Sequence, residues 1–138
     1  DIDYSVLKSD RQLDHVLAAL PGRKIIYTNG SKAHAINALK HLGIESRIES
    51  IFDIVDADYQ PKPDPKPLAN LVTLYKIDPL RTLMAEDLVQ NLEPAAHVGM
   101  KTLWVRTEHA WAKTGNMDCV HYQTDNLAYW LNCVLDKD

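Results

Sequence analysis

A chain of 138 residues and 15.6 kDa is long enough to close one hydrophobic core without disulfide or metal staples. Its formal charge of -4, with 15 Lys and Arg scattered along the chain, excludes a basic footprint for nucleic acid or for an anionic membrane and leaves a phosphorylated small molecule open. Only two cysteines occur, Cys119 and Cys133, with no CxxC pair, no secretory segment at the start and no apolar run of the roughly 18 residues that a membrane span needs, which points to a reducing, cytoplasmic setting.

The chain starts at Asp1 with neither methionine nor leading strand, and is expected to be a piece of something longer. Residues 1–8 show no clear period. Asp10 then offers a helix N-cap before Leu13, Val16, Leu17 and Leu20 at three-and-four spacing, and Pro21-Gly22 ends that helix. Residues 24–28, KIIYT, form a β-rich run, followed at once by Asn29-Gly30-Ser31 and a second helix with Ile36, Leu39 and Leu42 on one face and Gly43 past its end. Strand, tight turn and helix make the half of a βαβ unit that presents backbone N–H groups to an anion.

Residues 51–57, IFDIVDA, read as a second strand. Residues 59–67 are punctuated by proline and can continue neither period; Pro65 suits a first helical position ahead of Leu68, Leu71, Val72 and Tyr75. Asp78-Pro79 marks a turn, residues 82–85 form an apolar run that reads as a buried strand, and Val89, Leu92 and Ala96 outline a helix finishing at Gly99. Residues 102–105, TLWV, are a further strand, 109–117 a loop and 119–122 a short edge strand. Asp125 starts a last helix with Leu127, Trp130, Leu131 and Val134 inward. This alternation predicts an α/β fold: a Rossmann-like three-layer α/β/α sandwich with a mostly parallel sheet and right-handed crossovers, organised as a single domain over 1–138.

Glu86 and Asp87 stand at the carboxyl end of the 82–85 run, the edge of an open α/β sheet where ligands bind. Mg²⁺ takes oxygen ligands from one or two carboxylates and keeps several waters, so the pair suits it. The plain alternative is that both acids begin the next helix and complement its dipole. Thr28-Asn29-Gly30 after the first strand and Lys62 after the second would share that rim. Hydroxyl, backbone N–H groups, lysine and acidic pair are together what a phosphoryl group needs, because its transfer is mostly positioning and charge stabilisation. Each alone has an ordinary reading, Thr28-Asn29 as a helix cap and Lys62 as solvated surface. His34 and His41 read as a solvated helix stripe, and Trp104, Trp111 and Trp130 as packing rather than a base-stacking platform.

Taken in order, KIIYTNG, PKPDP and TLMAEDLVQNLEPAAHVGMKTLWV resemble motifs two, three and four of the haloacid dehalogenase-like phosphatases. More narrowly they resemble the pyrimidine 5'-nucleotidase-like branch, in which a segment like DYSVLKSDRQLDHVLAALPGRKIIYTNG leads into motif two and EDLVQNL replaces a double aspartate. The resemblance covers essentially the whole chain, down to HYQTDNLAYWL. It implies a Mg²⁺-dependent phosphatase core hydrolysing a phosphate monoester such as a pyrimidine nucleoside monophosphate. It also implies that Thr28 binds a phosphoryl oxygen by its hydroxyl with the backbone of Asn29 and Gly30 beside it, and that Lys62 neutralises phosphate and nucleophile. Asp87 would hold Mg²⁺ with Glu86 as a direct or water-mediated helper, and Asn91 would steady the loop after the acids. Lys62 is preferred to Lys66 because the family's lysine immediately precedes the first Pro of KPxP, while Lys66 falls at a helix start.

Such enzymes carry a first motif, DxDx(T/V) at the end of an apolar strand, whose first aspartate attacks phosphorus and whose second is the general acid and base. No such strand precedes Lys24. Asp1-Ile2-Asp3 has the letters but not the strand, and the resemblance makes residues 1–9 the exit of a helical cap; Asp53, Asp56 and Asp58 read as a strand end and loop. In the family the absent strand lies mid-sheet, where a gap leaves main-chain groups unpaired at roughly 1–3 kcal/mol each. Either a second chain or segment supplies that strand as a partner, or the neighbouring strands close ranks, or the 138 residues are the remainder of a longer enzyme. A non-catalytic fragment or pseudoenzyme serving as a binding or assembly module is the alternative. A phosphoacceptor receiver domain also combines acids, Thr and Lys, but in that order, whereas here Thr28 and Lys62 precede Glu86-Asp87.

Overall fold

The computed structural model describes residues 9–108 and 110–137. The segment read as a cap exit, with Asp1 and Asp3, lies outside them apart from Ser9. Two compact units form: one runs to Tyr59 and resumes at Ala128, the other is Gln60–Leu127.

In the first unit, helix α1 (Arg11–Ala19) starts where Asp10 accepts the Leu13 N–H at 2.9 Å, and it buries Val16 and Leu17. Strand β1 (Ile25–Tyr27) leads to α2 (Lys32–Leu42), capped by Ser31 and closed by Gly43 at φ 78°. Strand β2 (Ser50–Phe52) runs parallel to β1, with Ile25 opposite Ser50 and Tyr27 opposite Phe52. It stops well short of the strand expected over 51–57. Asp53 N–H donates to Asp56 Oδ2 and Asp56 N–H to Asp53 Oδ1, each at 3.0 Å, and this reciprocal pair turns the chain out of the extended conformation.

In the second unit, Asp64 accepts the Lys66 N–H and Pro65 opens α3 (Pro65–Leu74), which buries Leu68 and Leu71. Strands β3 (Leu83–Glu86), β4 (Lys101–Val105) and β5 (Tyr122–Thr124) pair in that order, all parallel, with Glu86 opposite Trp104. The helix expected between β3 and β4 is instead a 3₁₀ turn, Val89–Leu92, followed by the short helix α4 (Glu93–His97). Pro94 has no N–H to carry the hydrogen-bond ladder across from the turn, so it opens a new helix. Val89, Leu92 and Trp104 form a buried cluster against which Met84, Met117 and Val120 pack.

The edge strand expected at 119–122 begins only at Tyr122. Asn116 accepts the Asp118 N–H and holds Met117–Cys119 as a 3₁₀ turn, while the buried Thr102 hydroxyl donates to the Cys119 carbonyl. Helix α5 (Leu127–Leu135) starts after Thr124 Oγ1 accepts the Asn126 N–H. Its buried stripe centres on Ala128 and Leu131, which leaves Val134, expected inward, 37% exposed on the margin.

Helices and parallel strands thus alternate as predicted, and among the described residues the strands pair as β1-β2 and β3-β4-β5. Among the described residues β1 pairs only with β2 and β3 only with β4. The run expected as a buried strand leaves Leu83 37% exposed. No helix among the described residues is long and apolar enough to cross a membrane.

Candidate functional site

Thr28 leaves β1 with its N–H on the Phe52 carbonyl at 3.0 Å. Its hydroxyl accepts the Gly30 N–H at 3.0 Å and curls the chain toward α2. The hydroxyl hydrogen remains available to an anion, whereas the Gly30 amide, expected to bind phosphate, is engaged by Thr28 itself.

The same turn is secured by Asp53, 5% exposed, whose Oδ2 accepts the Lys32 N–H at 2.8 Å. The Asp56 N–H foremost, with Lys32 adding, holds the Asp53 carboxyl below the ordinary value. Both oxygens accept backbone N–H groups, so Asp53 is a structural clamp and not a poised nucleophile. The spacing of Asp53 and Asp56 was the visible signal for that clamp; its bond to Lys32 has none.

In the second unit Lys62, which precedes Pro63 through a cis peptide bond, directs its Nζ to Glu86 Oε2 at 2.6 Å. The two side chains are only 11% and 10% exposed. Lys66 stays on the surface at the start of α3. Burial pushes the Glu86 carboxyl above its ordinary value and Asp87 adds to the push, while the Lys62 ammonium opposes it. Glu86 Oε1 accepts the Asp87 N–H at 3.1 Å, so both Glu86 oxygens are occupied.

The Asp87 side chain is exposed, and its carboxylate lies against that of Glu86, whose carboxyl it helps to push up. Its carbonyl accepts the Trp104 indole N–H at 3.1 Å, a contact between distant residues that no sequence pattern announces. Asn91 is 5% exposed, and its Oδ1 has no hydrogen-bond partner among the described residues. The steadying role expected of Asn91 is therefore not exerted through that oxygen.

Among the described residues no three His, Cys, Asp or Glu side chains converge as a metal cage. The donors nonetheless suit Mg²⁺, which is held by one or two carboxylates and otherwise by water. The exposed Asp87 carboxylate would be the direct ligand, and Glu86, tied to Lys62, would act through water. A cavity of about 300 Å³ beside α2 and β2, lined by Lys32, Ile36, Leu39, Glu45, Ile48 and Glu49 among others, includes none of the expected site residues.

Residues 13–105 match the family described as haloacid dehalogenase-like hydrolase. The chain belongs to that family. No curated protein matches this haloacid dehalogenase-like chain in sequence. Among solved structures it is similar to a haloacid dehalogenase-like phosphatase from Thermococcus onnurineus, with 22% identity and a TM-score of 0.69 over 90% of this chain and 54% of that one. The L-2-haloacid dehalogenase of Xanthobacter autotrophicus, with chloropropionic acid covalently bound, gives 16% identity and a TM-score of 0.73 over 96% of this chain and 63% of that one. A putative hydrolase of the family from Bacillus subtilis, bound to magnesium, gives 17% and 0.71 over 88% and 54%. These are likenesses of fold, and the haloacid dehalogenase-like chain spans between 54% and 63% of the length of those proteins.

Proposed function

We propose that this chain is the phosphate- and Mg²⁺-binding core of a phosphate monoester hydrolase in the pyrimidine 5'-nucleotidase-like branch of its family, working in the cytoplasm as one domain. The observation that carries the reading is the nearly buried Lys62–Glu86 pair beside the exposed carboxylate of Asp87 at the carboxyl end of β3. A buried lysine and carboxylate are costly to bring out of water. Placed at a strand end, they put a cation for phosphoryl oxygens next to an acid for Mg²⁺.

Mg²⁺, when bound, supplies charge neutralisation at the phosphoryl group. Lys62 neutralises the same group from the protein side and keeps Glu86 oriented. Thr28 donates its hydroxyl to a phosphoryl oxygen, with the Asn29 backbone beside it. In this reading Asp87 is committed to Mg²⁺ and Thr28 and Lys62 to binding the phosphoryl group, so the nucleophilic aspartate comes from a segment or second chain that also supplies an apolar strand. Among the described residues β1 and β3 each have a single strand neighbour, which supports that partner and equally favours a non-catalytic assembly module as the second reading.

Calorimetric titration with Mg²⁺ of the parent chain and Asp87→Asn tests the metal assignment: weak binding in the parent and none in the variant is expected. Equal binding in both would refute it. With p-nitrophenyl phosphate or pyrimidine nucleoside monophosphates and Mg²⁺, the 138-residue chain alone is expected to show no turnover. Adding an apolar strand that ends in DxDx(T/V) produces turnover, which Lys62→Ala abolishes; no turnover with that strand in place favours the assembly module.

A further inference from the structure

The segment after β4 packs back onto the turn that begins at Asp87. A Cβ added to Gly115, which sits at φ 144°, would lie 2.8 Å from Gln90 N, 3.0 Å from Gln90 Cα and 3.1 Å from Val89 Cγ1. The adjoining Asn116 N–H donates to Glu93 Oε1 at 2.6 Å. Ala112 and Cys119 are buried on either side, and Met117 packs on Val89, Leu92 and Trp104. Trp104 in turn donates its indole N–H to the Asp87 carbonyl. The turn over 87–93 is therefore held at Asp87 by Trp104 and at Gln90 and Glu93 by residues 115–116.

We infer that Gly115 is a positioning residue: the side chain it lacks lets residues 112–119 brace the 87–93 turn, and that brace sets where the exposed Asp87 carboxylate stands for a divalent cation. The inference rests on the cation reading of Asp87 above. With one directly ligating carboxylate, affinity depends on the support behind that ligand, and loss of such support typically costs 10–100-fold in metal affinity. Gly99 provides a matched control, because at φ 100° its added Cβ meets Leu80 Cδ2 at 2.9 Å. Leu80 is 79% exposed and can swing aside, whereas the Gln90 backbone moves only with the turn.

The test is ¹H–¹⁵N NMR of the parent chain, Gly115→Ala, Gly99→Ala and Glu93→Ala, reading the Trp104 indole and Asp87 amide before and during Mg²⁺ addition. Gly115→Ala shifts both resonances before any Mg²⁺ is present and weakens the Mg²⁺ response of Asp87 by about tenfold. Gly99→Ala carries similar backbone strain and leaves both resonances and the Mg²⁺ response at parent values. Metal-free resonances of Gly115→Ala that overlay the parent, or an unchanged Mg²⁺ response, overturn the inference. Should Gly115→Ala not fold, Glu93→Ala removes the acceptor of the Asn116 N–H and must still weaken the response; a response equal to the parent's overturns it. A parent chain whose Asp87 amide ignores Mg²⁺ refutes the cation reading, and the brace is then decided by the metal-free resonances alone.

Discussion

Asp53 accepts the Lys32 and Asp56 N–H groups from inside the protein, and truncating it leaves both without that acceptor. Hydrogen bonds to a charged group contribute about 1.5–3 kcal/mol, so Asp53→Ala should lower the unfolding free energy by roughly 2–3 kcal/mol in urea titrations. The charge gives the loss a pH signature. The folded carboxyl is held below its ordinary value, so its contribution is complete above the unfolded value of about 3.9 and is lost as pH falls through the lowered folded one. The stability gap between the parent and Asp53→Asn should therefore narrow as the solution is acidified below about pH 4. A gap that widens with acid would mean that Asp53 is not the clamp described.

The stretch between β3 and β4 shows how an apolar pattern can be right about burial and wrong about the element. Val89 and Leu92 are both fully buried, but on a 3₁₀ turn, because Pro94 interrupts the ladder that a single helix needs. Leu92→Ala removes a side chain from the Val89–Trp104 cluster and should cost about 2–5 kcal/mol. Val98, just past α4 and 43% exposed, should tolerate Ala within about 0.5 kcal/mol. Thermal and urea unfolding of the two variants side by side measures the contrast, and equal losses would contradict the packing.

Across the whole molecule the unfinished feature is strand pairing. β1 and β3 each have one strand neighbour among the described residues, and a β edge without a partner is a template for another strand. If a separate segment supplies the apolar strand and the nucleophile, the amides of β1 and β3 that point away from β2 and β4 should exchange rapidly in the 138-residue chain and slow markedly once the segment is added. Exchange that is already slow, and unchanged by the segment, would show that these edges need no partner.

Local chemistry determined much of what the chain declared in advance. Asp10, Pro65 and Gly43 mark helix ends because capping involves neighbours in sequence, and the alternation of periods specifies parallel α/β architecture. The acidic pair after β3 and the lysine before Pro63 were legible for the same reason: strand, loop and motif spacing are all local. Only the tertiary structure decided that Lys62 would bond Glu86 and leave Asp87 exposed, that Trp104 would hold the Asp87 carbonyl, and that Gly115 would press on Gln90. It also decided that β3 would be half exposed. Each of these depends on which distant segments meet and which edges stay unpaired, and residue periodicity carries no record of either.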